Sequence, residues 1–347
     1  MHQGLISYLR CIKCGSDLSR LEDPTYEGEE IKTGRIMCSG CNAVYPIIDF
    51  IPTFVNENEN QKRWRTAWSY KWDKVAKKVR YTSDGDHDFE IKINYTGLFN
   101  EDMSGKVIFD AGCGSGQDMA RIAKKGAIVI GVDQSEGVYH AREYNKNTDY
   151  FKNLHFIRAD ISRLPLKNEI FDIIYSNGVL HHTPDTKHSF SCLPSLLKRK
   201  GFIAIWVYDK TQYWRLFETF WRPVLCRLPR FLLSWMLHLI NRPWYWIYRY
   251  RMFSMEKVNP WPKNSVARHF FDLISLGHLM YLLTDYHLHI AVTTNDHFIR
   301  YHHAFDCYSP YYAWGHDEAE LFDWFTEHNL EVCNISQRRC GMTGQKK

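Results

Sequence analysis

The sequence of 347 residues contains no long apolar run. No stretch reaches the roughly 18 uninterrupted apolar residues that span a bilayer. The first residues, MHQGLISYLRCIKC, also lack the apolar centre of a secretory signal peptide. We therefore expect a cytoplasmic protein.

A strong excess of charge of one sign is absent as well. The 44 Lys and Arg nearly balance the 39 Asp and Glu, so the formal net charge is only +5. Such a balance gives no general electrostatic reason to bind nucleic acid, which we do not expect as a partner.

The ten cysteines include two Cys-x-x-Cys pairs near the start of the chain. Cys11 and Cys14 form one pair, and Cys38 and Cys41 form the other. In a reducing compartment, paired cysteines more often bind a metal than form disulfides. Four thiolates complete a tetrahedral zinc shell with no open position, which predicts a structural zinc site rather than a catalytic one.

The residues around these cysteines indicate a zinc ribbon over residues 1–55. The gap between the pairs, EDPTYEGEEIKTGRIM, is expected to form a polar turn and then a short strand. The segment resembles a small zinc-ribbon module that activates some tRNA and protein methyltransferases and is fused to the front of some bacterial methyltransferases. A polar run over residues 56–61 then indicates a linker.

The next segment contains regularly spaced aromatic residues. Trp64, Trp68 and Trp72 are four residues apart, which places them on one face of a helix. This helix either packs on the core or covers a bound ligand as a lid. The sequence favours neither alternative.

From Lys106 the chain alternates between strands and helices. The predicted strands are KVIFDAG, AIVIGVDQS, LHFIRAD, FDIIYSNGV and FIAIWVY, and the predicted helices are DMARIAKKG, EGVYHAREYNK and SFSCLPSLLKRKG. Short repeats with nearly continuous apolar strands predict an α/β fold, a doubly wound parallel sheet with helices on both faces. Ligands of such sheets bind at the carboxyl ends of the strands.

The first strand is followed by the glycine-rich loop FDAGCGSGQD. Gly112, Gly114 and Gly116 follow the pattern G-x-G-x-G, whereas a dinucleotide fingerprint has its third glycine three residues after the second. Asp110 precedes the loop, and a pyrophosphate prefers backbone N–H groups without an adjacent carboxylate. The loop therefore favours a cationic ligand.

Acidic residues also mark the later strands. Asp133 ends the second strand, where a carboxylate can accept both hydroxyls of a ribose. Asp160 ends the third and could accept the exocyclic amine of an adenine. Asp172 begins the fourth strand, and we expect a structural role for it.

Together, VIFDAGCGSG, IVIGVDQS and LHFIRADISRLPLKNEIFDIIYSNGVLHHTPD resemble the motifs of the S-adenosylmethionine-dependent methyltransferases. The resemblance runs from about Lys106 to Tyr208 and resumes near Phe305. It implies a Rossmann-like, seven-stranded, mostly parallel sheet. The family often has LKPGG before its fifth strand where this chain has LKRKG, a turn that is remote from the cofactor.

The resemblance also implies how S-adenosylmethionine is bound. Its methionine portion would lie on the glycine loop, its ribose on Asp133 and its adenine near Asp160. The sulfonium would lie near the end of the fourth strand. The implied cofactor contacts are Asp110, Gly112, Cys113, Gly114, Gly116, Asp133, Gln134, Asp160, Ile161, Ser176, Asn177 and Gly178.

Methyl transfer to a hydroxyl or ammonium group requires a base. His181 and His182 follow the fourth strand, and imidazole is a natural base at neutral pH. Alternatively, the two rings only shape the pocket. The segment before a last predicted helix supplies our second choice of acceptor-site residues, with Asp306 and Tyr308 as the catalytic candidates. The full set is His303, Asp306, Tyr308, Tyr311, Tyr312 and His316.

About a hundred residues stand where the family needs one helix. They mix Trp, Tyr and Arg, as in TFWRPVLCRLPRFLLSWMLHLINRPWYWIYRYRMF. This composition suits a membrane interface, an aromatic acceptor pocket or a dimer face, and an ordinary helical cap is an equal alternative. Contact with a membrane or a lipid-linked acceptor, and a homodimer, are therefore open possibilities.

These observations predict five segments: the zinc ribbon (1–55), linker and lid helices (56–100), the cofactor-binding core (101–208), a helical acceptor lid (209–304) and the C-terminal part of the core (305–347). LEVCNISQRR and GMTGQKK are expected to close the sheet as an antiparallel pair.

We expect methyl transfer to an oxygen of a small molecule or glycan, in a natural-product or surface-polysaccharide pathway. The alternative is an RNA methyltransferase that contacts nucleic acid through its ribbon. Acidic residues within the ribbon argue against it: Glu22, Asp23, Glu27, Glu29 and Glu30.

Overall fold

A computed structural model describes residues 1–55, 67–75, 96–99, 102–211, 221–239, 305–336 and 340–347. The chain folds into two compact units. The first consists of Met1–Asp73, Arg80–Thr211 and Tyr312–Lys347, and the second of Lys74–Val79 and Gln212–Tyr311. The cysteine pairs and the five predicted strands lie in the first unit, and most of the aromatic insertion lies in the second.

A four-stranded antiparallel sheet forms near the start of the chain. Its strands are β1 (Leu18–Glu27), β2 (Glu30–Cys38), β3 (Val44–Ile48) and β4 (Ile51–Pro52). The prediction of one short strand between the cysteine pairs is wrong, because β1 and β2 form a long hairpin. Pro24 interrupts β1, and the register shifts between Glu22 and Thr25, so the sequence shows little strand-like alternation.

The second sheet has seven strands in the order β10-β11-β9-β8-β5-β6-β7. They are β5 (Val107–Ala111), β6 (Ile128–Asp133), β7 (Leu154–Arg158), β8 (Phe171–Asn177), β9 (Leu197–Trp206), β10 (Leu330–Ile335) and β11 (Gly341–Lys346). Strands β5 to β9 are parallel, whereas β11 is antiparallel to both β9 and β10. The predicted α/β fold with a mostly parallel seven-stranded sheet is confirmed.

In the part of the chain that the structure describes, four α-helices accompany this sheet: α1 (Gln117–Ala123), α2 (Gly137–Asn145), α3 (Thr186–Ser191) and α4 (Glu318–Glu327). Short 3-10 turns cover Gln3–Tyr8, Phe151–Asn153, Ile161–Arg163, Leu180–His182 and Pro194–Leu196. Ahead of the sheet, a helical turn over residues 67–70 continues as a π-helix over Lys71–Val75. We call residues 67–75 the tryptophan segment.

The predicted helix SFSCLPSLLKRKG is largely wrong. Helix α3 ends at Ser191, and β9 already begins at Leu197. Pro194 has no N–H to donate to a helical carbonyl, so the α-helix does not continue through it, and Pro194–Leu196 form a separate 3-10 turn. Lys200 then adopts a φ of 64° inside β9. This turn-like conformation interrupts the regular alternation of side chains, so the residue pattern does not indicate where the strand begins.

Alternate side chains of the parallel strands enter two apolar cores. Phe109 and Ile130 are neighbours on one face of the sheet, and Ile108 and Val129 are neighbours on the other. All four are fully buried. Helices α3 and α4 cover the first face and α1 and α2 the second, which explains why these strands are apolar along their whole length.

The ribbon is joined to the larger sheet by backbone hydrogen bonds. Phe54 N donates to Arg158 O at 2.8 Å, and Thr53 pairs with Arg158 in a parallel bridge at the end of β7. Near the cysteines, Arg10 N donates to Pro165 O at 3.0 Å. The residues after β4 therefore continue the sheet beyond β7.

Only part of the aromatic insertion lies within the described residues. Residues 221–225 and 230–239 are helical. Leu233 and Leu237 are buried, whereas Phe231 and Trp235 are 70% and 59% exposed. Within the described ranges, no helix has the length and apolar character that crossing a bilayer requires.

Candidate active site

The glycine-rich loop connects β5 to α1. Gly112, Gly114 and Gly116 have φ angles of 94°, 52° and 77°, which residues with a side chain rarely adopt. Space is also limited, because a Cβ on Gly112 would lie 2.3 Å from Val179 and one on Gly116 would lie 2.7 Å from Ala141. The loop therefore requires glycine for both its backbone and its packing.

Backbone N–H groups of this loop donate within the protein. Gly112 N and Cys113 N donate to Val132 O at 2.8 and 3.0 Å, and Gly114 N donates to Asp133 Oδ2 at 3.0 Å. The N–H of the third glycine donates to a carbonyl of the loop itself at 2.8 Å. A phosphate-binding loop would direct such groups at its ligand, so this geometry agrees with the expectation that the ligand is not a pyrophosphate.

Two carboxylates give the loop a negative surrounding. Asp110 is buried in β5 and only 4% exposed. Burial, together with the charges of Asp110 and Asp133, raises the pKa of the Cys113 thiol well above its usual range. The thiol is therefore neutral, and the local charge comes from the carboxylates, which suits a ligand that carries positive charge.

Asp133 holds the end of β6 together with its neighbours. Besides the bond from Gly114 N, its Oδ1 accepts from Ser135 N at 2.8 Å and from Ser135 Oγ at 2.6 Å. The carbonyl of Gln134 accepts from Arg158 Nε at 3.2 Å. The predicted ribose contact thus lies where the ends of three adjacent strands are joined by hydrogen bonds.

Asp160 caps the 3-10 turn after β7. Its Oδ1 accepts from both N and Oγ of Ser162 at 2.8 Å. Since both bonds go to one oxygen, the second oxygen suits a further donor such as an exocyclic amine. Ile161 is buried next to it and offers apolar surface. Both features fit the adenine contact expected here.

The end of β8 lies against the start of the glycine loop. Ser176 Oγ donates to Ala111 O at 2.9 Å. Asn177 pairs with Trp206 of β9, and Gly178 N donates to Trp206 O at 3.0 Å. Ser176 therefore lies beside the start of the loop, whereas Asn177 and Gly178 are joined to the end of β9. Their expected position near the sulfonium stays a prediction.

The two histidines after β8 have opposite hydrogen-bonding patterns. Both are buried. Nδ1 of His181 accepts from Tyr208 N at 3.3 Å, so the neutral ring has its proton on Nε2. Nδ1 of His182 lies 2.8 Å from Tyr312 O, an acceptor, so that ring has its proton on Nδ1 and its lone pair on Nε2. Of the two, only His182 has a basic Nε2.

Aromatic rings surround these histidines. The Trp68 ring is 4.8 Å from the His182 ring, and Tyr208 stacks on His181 at 3.8 Å between ring centroids. The Trp72 ring packs on the glycine loop, where a Cβ added to Gly114 would lie 2.4 Å from it. The tryptophan segment therefore contacts both the glycine loop and the turn after β8. This supports the lid alternative for Trp68 and Trp72, while Trp64 lies outside the described residues.

Two residues at the site were not identified from the sequence. Lys71 lies between Trp68 and Trp72 along the chain. A basic residue between two regularly spaced tryptophans can indicate a cation–π contact, so a signal was present in the sequence. No sequence signal marks Arg158. It belongs to the site because the pairing of β6 with β7 places its Nε next to the carbonyl of Gln134, 24 residues earlier in the chain.

Asp306 and Tyr308 belong to the second unit. Tyr308 is buried at 2% exposure, and Asp306 is partly buried. Their expected role at the acceptor site stays a prediction, and His303 lies outside the described residues.

The four cysteines of the ribbon converge on one point. Their Sγ atoms all lie within 4.8 Å of one another, with 3.4 Å between Cys14 and Cys38 and 3.7 Å between Cys11 and Cys41. Zinc–sulfur bonds of about 2.3 Å give tetrahedral edges of about 3.8 Å, so the cluster fits zinc. Burial raises the pKa of Cys11, but hydrogen bonds from Tyr45 O–H and from backbone N–H groups lower it to about 6. Cys41 shifts the other way: a backbone hydrogen bond lowers its pKa, but the neighbouring cysteines and burial raise it to about 12. The fit to zinc therefore rests on the geometry of the four sulfurs.

Known proteins with a related sequence are methyltransferases. Residues 102–221 match the family described as methyltransferase domain. A ubiquinone biosynthesis O-methyltransferase of Pasteurella multocida (strain Pm70) is 29% identical over 175 residues, which cover 46% of this chain and 72% of the relative. A tRNA U34 carboxymethyltransferase of Pseudoalteromonas translucida (strain TAC 125) is 27% identical over 155 residues, which cover 44% of this chain and 41% of the relative.

Among solved structures, the magnesium protoporphyrin IX methyltransferase of Synechocystis PCC 6803 with bound S-adenosylmethionine aligns at a TM-score of 0.45 and 13% identity. The alignment covers 84% of this chain and all of that chain, 100%. The predicted methyltransferase domain is confirmed by the family match and the sequence relatives.

We expect Asp133→Ala to weaken S-adenosylmethionine binding at least about 100-fold, because it removes the ribose acceptor and the anchor of the loop. Isothermal titration calorimetry measures this affinity. Asp172→Ala is the matched control, since Asp172 accepts from Val107 N and Lys198 Nζ, both at 2.8 Å. It should cost about 1–3 kcal/mol of stability and leave the affinity unchanged. Normal binding by Asp133→Ala would contradict the ribose assignment.

We expect Cys14→Ser to lose bound zinc and to lower the free energy of unfolding by about 4 kcal/mol, as loss of a structural metal does. Cys14 is exposed, so the substitution itself disturbs little packing. Metal analysis and urea unfolding provide the readouts. Cys333→Ser, at an exposed cysteine outside the cluster, should keep both zinc and stability. Full zinc content in Cys14→Ser would show that the cluster is not the metal site.

Proposed function

We propose that this S-adenosylmethionine-dependent methyltransferase transfers its methyl group to an oxygen of a small molecule or glycan. The observation that carries the proposal is the buried His182 in the turn after β8, whose Nδ1 lies 2.8 Å from Tyr312 O, so that the lone pair of the neutral ring is on Nε2. The O-methyltransferase among the relatives supports the same reaction class.

A hydroxyl acceptor needs a base where the methyl group arrives. S-adenosylmethionine supplies a methyl group that is already activated on a sulfonium. His182 Nε2 would accept the proton of the acceptor hydroxyl while the acceptor oxygen takes the methyl group that bound S-adenosylmethionine would supply, leaving S-adenosylhomocysteine. The hydrogen bond from His182 Nδ1 to Tyr312 O fixes the ring for this step and stabilises its protonated form.

The surroundings of His182 suit an acceptor with a ring. Trp68 and Tyr208 lie 4.8 and 5.2 Å from the His182 ring, between ring centroids. Such aromatic walls exclude water and pack against flat or partly apolar rings, which sugars and phenols both have. We place the reaction in a natural-product or surface-polysaccharide pathway, on the resemblance to ribbon-fused bacterial methyltransferases.

An RNA acceptor is the second candidate, because one relative is named as a tRNA-modifying enzyme. The hairpin of the ribbon gives it little support. Basic residues there already face acids: Lys32 Nζ is 2.7 Å from Glu27, and Arg35 pairs with Asp23. Phosphate binding requires basic groups that are available to the ligand.

The exposed rings of Phe231 and Trp235 support an apolar partner for the insertion. A membrane surface, a lipid-linked acceptor and a second copy of the chain are all consistent with such rings. Each of these three partners is a proposal about the insertion, and none of them changes the proposed acceptor atom.

The acceptor class is tested with S-adenosylmethionine that carries a tritiated methyl group. The enzyme is incubated with a small-molecule and polysaccharide extract, and separately with total RNA. We expect label in the extract as base-stable ethers. Label that enters RNA and is released by ribonuclease would favour the second candidate and contradict the first.

Once an acceptor is in hand, His182→Ala should lower kcat by about 100- to 10,000-fold, as loss of a general base does, with unchanged affinity for the methyl donor. His188→Ala, at an exposed histidine in α3, is the matched control and should retain activity. If His182→Ala raises KM and leaves kcat intact, the ring only shapes the pocket.

A further inference from the structure

A short helix of the aromatic insertion exposes large apolar side chains in a row. In the helix over residues 230–239, Phe231, Trp235 and Leu239 are 70%, 59% and 50% exposed. They are four residues apart, so they lie along one side of the helix. We call this the outer side, and it is apolar along the described length of the helix.

The opposite side of the same helix is packed within the protein. Leu233 and Leu237 are buried. Each follows an exposed ring by two residues, which corresponds to a rotation of about 200° around the helix axis. Arg230 fixes the start of the helix, since its Nη1 donates to Ser309 O at 3.2 Å within the same compact unit. The helix is therefore available to a partner along its outer side, on which the partner would lie flat.

The charge of the surrounding sequence has one sign. Residues 221–255 contain no Asp or Glu. Arg227, in the turn before the helix, is exposed. The same stretch contains six arginines in all: Arg222, Arg227, Arg230, Arg242, Arg249 and Arg251. A partner of the outer side consequently has to accept apolar rings and to carry negative charge.

A membrane surface with anionic lipids meets both requirements. Its headgroups are negative, and the boundary between headgroups and acyl chains takes up Trp, Phe and Leu side chains. A second copy of the chain fits less well. Two-fold symmetry would bring the same arginines of both copies together, and this stretch has no carboxylate to separate them.

We propose that the outer side of residues 230–239 binds the surface of a membrane that contains anionic lipids. Phe231, Trp235 and Leu239 would enter the boundary below the headgroups, and Arg227 would stay at the lipid phosphates. This inference narrows the three partners proposed above for the insertion to one. It is independent of the acceptor, because it involves neither the methyl donor nor His182.

Vesicle binding by the full chain tests the proposal. Co-sedimentation compares vesicles of phosphatidylcholine with vesicles of equal parts phosphatidylcholine and phosphatidylserine. We expect the anionic vesicles to bind about 10- to 100-fold more tightly at low salt, with a smaller difference at high salt. Failure to bind the anionic vesicles, or equal binding to both kinds, overturns the proposal.

The double variant Phe231→Ser, Trp235→Ser removes two exposed rings and should weaken binding to anionic vesicles at least about 10-fold. Because both side chains are exposed, circular dichroism and thermal unfolding should match the wild type. Phe322→Ser, at a ring of α4 that is 51% exposed, is the matched control and should bind like the wild type. Undiminished binding by the double variant would contradict the proposed contact.

Arg227→Gln tests the charge separately. It should reduce the preference for anionic vesicles about 5-fold and leave binding to neutral vesicles unchanged. Arg199→Gln, at an exposed arginine of β9, should keep the full preference. An undiminished preference in Arg227→Gln would overturn the contact of Arg227 with the headgroups.

The competing partners have their own outcomes. A wild-type dimer that the double variant converts to monomers in sedimentation equilibrium would assign the outer side to a second copy and overturn the membrane assignment. Binding that appears only after a lipid-linked sugar extract is added would assign it to a lipid-linked acceptor, with the same consequence. The vesicle measurements omit the methyl donor and the acceptor, so a wrong acceptor assignment leaves them unchanged, and failed vesicle binding leaves the acceptor assignment standing.

Discussion

The end of β6 holds the glycine loop in its working shape. Val132 O accepts two N–H groups of the loop, and Asp133 accepts a third. These acceptors face the loop because β5 and β6 pair in parallel with Ala111 opposite Val132. A shift of this register by one residue would remove all three bonds at once. The close packing of Val179, Ala141 and the tryptophan segment on the loop depends on the same register.

The sequence was most informative where burial alone decides the structure. Strands β5 to β9 have helices on both faces, so their apolar runs are continuous and were recognised. The hairpin of β1 and β2 is largely exposed and contains Pro24, so its backbone pairing leaves no apolar pattern. LLKRK at the start of β9 has good helix formers and so predicts helix, while Pro194 and the turn-like Lys200 decide otherwise.

The residues of the candidate site also differ in how far the sequence predicts their positions. Asp110, Asp133 and Asp160 could be grouped in advance, since the carboxyl ends of parallel strands meet at one edge. The difference between His181 and His182 could not be predicted. It depends on one backbone N–H from the end of β9 and one carbonyl 130 residues further along the chain. The position of Lys71 likewise depends on where two tryptophan rings settle against the loop and the turn after β8.

Strand β7 lies at one edge of the large sheet, and Phe54 and Thr53 cover that edge at its last residue, Arg158. An open strand edge is a template for pairing with another chain, so the ribbon shields the enzyme from self-association at this point. The same arginine donates to Gln134 O next to the predicted ribose contact. Separating the two modules would therefore both expose an open strand edge and remove the backbone bonds at the residue that donates to Gln134 O.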